Sequence, residues 1–224
     1  MANSSFVAAR VRRYYGRDAE VVHPPVDLNA FRLSAPARIR DYYLFVSELV
    51  RYKRADLVIE AFRRMGSPLI IVGDGEERRA LEKTLPANVR MLGRVSAGDL
   101  PALFQGARAL VFPAEEDFGI VPVEAMACGT PVIAYRRGGA LDSVVDGKTG
   151  LFFDRQDPAS LIQAILRFEE VEAQFRPGVI AGHAAKFSAA RFREQFAAVI
   201  RRALSDQSSC SAKSSNREGI SDPV

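Results

Sequence analysis

Ala109-Leu110-Val111-Phe112-Pro113-Ala114-Glu115-Glu116-Asp117-Phe118-Gly119-Ile120-Val121-Pro122-Val123-Glu124-Ala125-Met126-Ala127-Cys128-Gly129-Thr130-Pro131-Val132-Ile133-Ala134 decides the fold. A short apolar run, an acidic loop, a helix with no polar face to speak of, a Gly-Thr-Pro turn and a second apolar run make one strand–helix–strand unit. Neither run alternates polar with apolar residues, so both strands must be covered on two faces, as in a parallel sheet. Outward from this unit the pattern repeats. Strands are expected at Tyr42–Val46, Leu69–Val72, Val89–Leu92, Ala109–Phe112, Pro131–Ala134 and Gly150–Phe153. Helices are expected at Asp56–Met65, Glu76–Thr84, Asp99–Gly106, Val121–Cys128 and Leu141–Val145, bounded by Gly, Pro, Ser or Asp. The fold class is α/β: a Rossmann-like parallel sheet with helices on both faces and right-handed crossovers.

The flanks differ from this centre. Beyond Asp157-Pro158 the pattern is helical, over Ala159–Glu170 and Ser188–Leu204, with Phe187, Phe192 and Phe196 spaced for one face. Residues 205–224 are Ser-rich with few large apolar side chains, which predicts disorder. At the other end, Ser4–Tyr15 reads as a capped helix, Ala19–His23 as a short strand and Pro24-Pro25 as a rigid bend. The expected units are 1–40 as a leading segment, 41–204 as the sheet domain and 205–224 as a tail.

Composition removes several function classes. A chain of 224 residues, 48% hydrophobic and 26% charged, can bury one substantial core. No apolar run approaches the roughly 20 residues of a membrane span, and Met1-Ala2-Asn3-Ser4-Ser5 lacks the layout of a signal peptide, so the expected compartment is the cytoplasm. Cys128 and Cys210 are expected as free thiols without metal spacing around them. The net charge of +4 comes from scattered pairs such as Arg12-Arg13 and Arg201-Arg202, which argues against nucleic acid.

Ligands of open parallel sheets bind beyond the carboxyl ends of the strands, which directs attention to three loops. In Pro113–Met126, Glu116 and Glu124 lie eight residues apart around Gly119, and the amides at Gly119–Val121 open a helix where a diphosphate could bind. The same acidic residues would equally serve a helix that satisfies its own dipole. Ser47–Asp56 carries Arg51, Lys53 and Arg54 at the same sheet edge, placed either to neutralise a phosphate or as a solvated basic loop. Gly73-Asp74-Gly75 looks superficially like a dinucleotide fingerprint, but Arg78 stands where the third glycine belongs and no acidic residue ends the next strand, so a nicotinamide or flavin is not expected.

Taken in order, Ser47…Lys53-Arg54-Ala55-Asp56, Val72-Gly73-Asp74-Gly75, Leu92-Gly93-Arg94-Val95-Ser96, the Glu116-to-Glu124 segment, Cys128-Gly129-Thr130-Pro131, Gly138-Gly139 and Asp146-Gly147-Lys148-Thr149-Gly150 resemble the group-1 (family 4) retaining glycosyltransferases of GT-B fold. The resemblance runs from about Asn3 to Leu204 and leans toward mannosyltransferases of polysaccharide synthesis. It implies that Lys53 neutralises the diphosphate leaving group and that Glu116 binds donor-sugar hydroxyls, these two being the catalytic candidates. The amides of Phe118, Gly119 and Ile120 would hold diphosphate and sugar, and Glu124 the ribose hydroxyls. Arg54 would assist at the phosphates, and Gly138 and Gly139 would line the base or ribose side or form a turn. No cofactor or metal is implied; the substrate would be GDP-mannose or a UDP-sugar, and the acceptor a glycan or lipid-linked glycan, with the inner membrane face as a place of work.

Two departures qualify the resemblance. Ser47-Glu48 stands where the family usually has Gly-Arg, which reverses a charge beside the expected phosphate site. Residues before Asp27 resemble only the last helix and strand of the family's first domain, so the acceptor side would come from a separate domain, and the apolar stripe of Ser188–Leu204, which in the family crosses back onto that domain, predicts self-association. The alternative reading is a non-catalytic nucleotide-sugar-binding module or a degenerate fragment.

Overall fold

The computed structural model describes residues 1–33 and 41–215. Helix α1 (Ser5–Tyr15) leads, and β1 (Tyr42–Val46), α2 (Ala55–Met65), β2 (Leu69–Val72), α3 (Arg78–Glu82) and β3 (Val89–Gly93) form the first half of the array. Then come α4 (Leu100–Gly106), β4 (Ala107–Phe112), α5 (Ile120–Ala127), β5 (Val132–Tyr135), α6 (Ala140–Ser143) and β6 (Gly150–Phe153). Helices α7 (Pro158–Val171), α8 (Pro177–Ala184) and α9 (Ala189–Ser215) close the chain.

All six strands are parallel and stand in the order β3-β2-β1-β4-β5-β6. The chain builds outward from β1 to β3, crosses back through α4, and builds outward again from β4 to β6. The loops leaving β1 and β4 therefore diverge over a crevice between adjacent central strands, where such sheets bind ligands.

Burial explains the order. Along β4 every residue but Arg108 is buried, while the edge strand β3 exposes Arg90 and Leu92, and the arginine blunts that edge. Ala55, Val58, Ile59 and Phe62 make the buried stripe of α2, and Gly66 ends the helix in the left-handed region. Helix α2 packs with α7, and α5 packs with α4, α6 and α8, so the sheet is covered on both sides.

One polar network crosses this core. The Tyr43 hydroxyl donates to Glu169 at 2.9 Å, Arg108 reaches Glu169 at 2.8 Å and Glu172 at 2.6 Å, and the Arg108 guanidinium lies 5.0 Å from the centre of the Tyr43 ring. Burial and the bond to Glu169 push the Tyr43 phenol well above its ordinary value. Arg108→Met leaves two carboxylates and a phenol without their cation, and urea denaturation is expected to show a loss of about 2–3 kcal/mol.

Two expectations are corrected and one helix gains its bounds. Ala19–His23 forms only an isolated parallel bridge, Ala2 to Val21, because among the described residues no strand lies beside it to extend the ladder. The sequence places His183 in a C-terminal helix without giving its bounds; that helix starts at Pro177, ends at Ala184 and packs on α5. Disorder from residue 205 is overturned as far as Ser215, since α9 continues that far. Adding Ser, Gln, Ala and Lys to an existing helix costs only tenths of a kcal/mol per residue, far less than nucleating one. Residues 216–224 lie outside the described residues.

Candidate functional site

The loop after β4 and the loop after β1 meet at the crevice. The Lys53 ammonium, at the end of a short 3-10 turn following β1, lies 2.5 Å from Glu116 Oε1, with side-chain exposures of 13% and 20%. These groups are 63 residues apart in sequence, and the order of the sheet alone brings them together. The Tyr52 ring backs the ammonium at 4.8 Å.

Beyond Glu116 the loop turns into α5. Gly119 caps that helix at φ 78°, a left-handed conformation that disfavours a side chain, and a Cβ there would stand 2.9 Å from the Phe112 ring. The amides of Ile120 and Val121 have no acceptor within the helix, and Pro122 has no N–H to offer. The turn therefore presents backbone donors beside the Lys53–Glu116 pair. Phe118 contributes backbone only, since its ring is buried between His23 and Phe187.

Glu124 follows Val121 by one turn of α5. Val121 lines a cleft of about 450 Å³ with Val46, Val72, Val95 and Leu100 as apolar wall and Glu48 and Arg94 at its polar rim. Burial pushes the half-buried Glu124 carboxyl up to about 7, with no cation beside it to offset the cost. A solvent-deprived carboxylate is an acceptor awaiting donors.

Other expected residues are placed differently. Arg54 is held by Asp56 at 3.1 and 3.3 Å and lines a separate hollow with Arg51, Tyr52 and Glu77, so the structure does not bring it to the Lys53–Glu116 pair. Its own neighbour two residues on is a nearer anion than the crevice offers. Gly138 and Gly139 are buried behind the acidic loop: the Gly139 amide donates to the Glu116 carbonyl at 2.8 Å, and a Cβ on Gly139 would fall 2.2 Å from the Phe118 Cα. They form a turn that supports the loop. Gly73 likewise serves close packing, because a Cβ there would meet the Ser47 carbonyl at 1.8 Å. Glu48 is exposed on the cleft, and Arg94, unassigned in the sequence reading, supplies a cation to the same cleft.

The model of the family described as "Glycosyl transferases group 1" matches residues 35–176. The chain belongs to the group 1 glycosyl transferases. Among curated relatives, D-inositol 3-phosphate glycosyltransferase of Mycolicibacterium paratuberculosis is 34% identical over 209 residues, covering 83% of this chain and 47% of that protein. The enzyme of that name from Mycobacterium tuberculosis is 33% identical, covering 92% of the chain and 49% of the relative. This group 1 chain thus spans about half the length of the curated relatives it matches. Sucrose-phosphate synthase from Thermosynechococcus elongatus superposes with a TM-score of 0.82 at 26% identity, over 92% of this chain and 58% of that one. HepE of Anabaena, in complex with UDP-glucose, shares the fold at TM-score 0.76 and 24% identity, over 90% of this chain and 63% of its own. Among the described residues no helix is long and apolar enough to cross a membrane.

Proposed function

We propose that this group 1 chain is the nucleotide-sugar-binding half of a retaining hexosyltransferase. The observation that carries the reading is the Lys53–Glu116 pair set beside the free amides at the start of α5, in the crevice between β1 and β4. A nucleoside diphosphate sugar needs a cation and amides for its phosphates, and carboxylates that accept from its hydroxyls. Lys53 and the amides of Gly119 and Ile120 take the diphosphate, Glu116 the sugar hydroxyls and Glu124 the ribose hydroxyls, while the base occupies the cleft lined by Val46, Val95 and Leu100. The UDP-glucose held by HepE lends support to this ligand class.

In the free protein Lys53 and Glu116 neutralise one another, so an arriving donor must exchange that pair for its own phosphate and hydroxyls. During transfer, negative charge grows on the departing phosphate. A buried ammonium already in place stabilises that charge without reorganising water. GDP-mannose or a UDP-sugar is the donor, and the acceptor is a glycan or lipid-linked glycan at the inner membrane face, delivered by the portion that the longer relatives carry.

A second reading, a module that binds the nucleotide sugar without transferring it, is favoured by the chain spanning half of its relatives. Thermal unfolding in the presence of GDP, UDP, GDP-mannose and UDP-glucose tests both readings at their shared step. One nucleotide at about a hundredfold excess over its Kd should raise Tm by roughly 5–10 °C. No rise with any of them removes both readings. If a donor binds, release of nucleoside diphosphate in the presence of an acceptor separates enzyme from module.

A further inference from the structure

Two histidines, neither near the Lys53–Glu116 pair in sequence, pack against the same ring, Phe187, His23 at 5.4 Å and His183 at 6.1 Å. His23 Nε2 lies 3.0 Å from Asp142 Oδ2, and the Ser5 amide donates to the same oxygen at 2.6 Å. The Asp142 side chain is only 10% exposed; burial pushes its carboxyl up, but the bonds from His23 and Ser5 outweigh this and hold it below its ordinary value. The His23 ring packs against Phe118 at 5.5 Å and against Phe187 at 5.4 Å. His183, from α8, bonds the Ser143 carbonyl at 2.8 Å, so both histidines hold the short helix α6.

Helix α6 begins at the Gly138-Gly139 turn on which Glu116, Asp117 and Phe118 rest. The segment before β1 therefore grips the acidic loop from two sides, through the Phe118 ring and through Asp142 beneath the turn. A third contact joins the same parts, Arg10 to Asp117 at 2.8 Å, though both groups are more than half exposed and it adds little.

We infer that His23 is a positioning residue for the 116–120 loop: by bonding Asp142 and packing on Phe118 it sets the place of Glu116 and of the amides opening α5. The inference rests on the donor-site reading above. Its consequence is that the leading segment, residues 1–27, governs how the loop meets a diphosphate sugar. A loop displaced by a fraction of an ångström loses alignment of several bonds at once. The nucleoside, held by Glu124 and the cleft, is out of reach of this effect.

Two substitutions in the full chain separate the two contacts. His23→Phe keeps a ring between Phe118 and Phe187 but leaves Asp142 with the Ser5 amide and without the bond to residue 23; His23→Gln keeps a donor for Asp142 but removes the ring. Calorimetric titration should show His23→Phe weakening the nucleotide sugar that the wild type binds by about five- to twentyfold, with the matching nucleoside monophosphate changed by less than about twofold. His23→Gln should recover part of the loss. A merely structural histidine would weaken sugar nucleotide and monophosphate alike, or neither, and either result overturns the inference. Amide hydrogen exchange without ligand gives a second readout: exchange across residues 116–121 should quicken in His23→Phe, and unchanged exchange also overturns it. If the wild type binds no nucleotide while exchange quickens in the variant, the donor-site reading fails and the coupling between the leading segment and the loop stands.

Discussion

Replacing Glu124 by Gln is expected to stabilise the free protein and to weaken its binding of nucleotide strongly. The carboxyl is pushed up to about 7 by burial alone, so the folded chain holds this proton more tightly than the unfolded chain does. For an acid shifted upward the sign is unfavourable as pH rises. Below the ordinary glutamate value near 4.5 both states are protonated and Glu124 costs nothing. Between there and about 7 the unfolded state ionises first and stability falls; above that window the whole cost is present. Contact with solvent reduces the cost to about 1–2 kcal/mol. Urea denaturation at about pH 8 should show Glu124→Gln more stable by that amount, and the gain should vanish near about pH 4. Binding moves in the opposite direction. Ribose hydroxyls donate to the ionised carboxylate, so wild-type affinity should rise with pH through about 7 and then level. At about pH 8 the amide should lower affinity by about a hundredfold, because its single oxygen leaves a ribose donor unpaired, and the difference should shrink below about 7, where the wild-type carboxyl is itself neutral. A site kept less stable than it could be, for the sake of an acceptor, is the usual cost of binding machinery.

The second large effect belongs to Lys53. Lys53→Ala removes the cation and leaves Glu116 facing the place proposed for the diphosphate, so repulsion adds to lost attraction. Affinity for a nucleoside diphosphate should fall by about 30- to 300-fold, while a nucleoside without phosphate is unaffected. Lys53→Arg should not restore it fully, because a planar guanidinium cannot fill the position of an ammonium 2.5 Å from Glu116 and backed by Tyr52. Glu116→Gln has the contrary sign for the two ligands. It frees Lys53, so the sugar-less nucleoside diphosphate should bind as tightly as before or more so, while the nucleotide sugar loses the acceptor for its hydroxyls. Titration of each variant with both ligands checks the division of labour, and parallel losses in all of them would contradict it.

The sheet was legible in the sequence because its strands are short, apolar on both faces and punctuated by Gly and Pro. Leu69–Val72 and Gly150–Phe153 carry the same bounds in both readings. The bounds of α8 were not legible: Pro177-Gly178 and a run of small residues show no amphipathic stripe, and the helix is held by packing on α5. The reach of α9 was missed for the opposite reason, a polar composition that a preformed helix tolerates. At the site, Glu116, Gly119 and Glu124 were visible as one local segment. Their meeting with Lys53 depended on β1 and β4 being neighbours, which the family resemblance implied and spacing did not. Arg10 and His23 gave no local sign, being 107 and 119 residues from their partners Asp117 and Asp142. The place of Arg54 in a motif pointed to the ligand, and in the structure it is paired with Asp56; for Gly138-Gly139 the motif left a ligand wall or a turn open, and the structure shows a turn that supports the loop from behind.

The most direct test of a working donor site is calorimetric titration of the chain with GDP, UDP, GDP-mannose and UDP-glucose, beside a Glu124→Ala control. The account predicts saturable binding of one nucleotide and its sugar derivative, lost in the control. Absence of binding by all four, in a chain whose unfolding shows it to be folded, would contradict it.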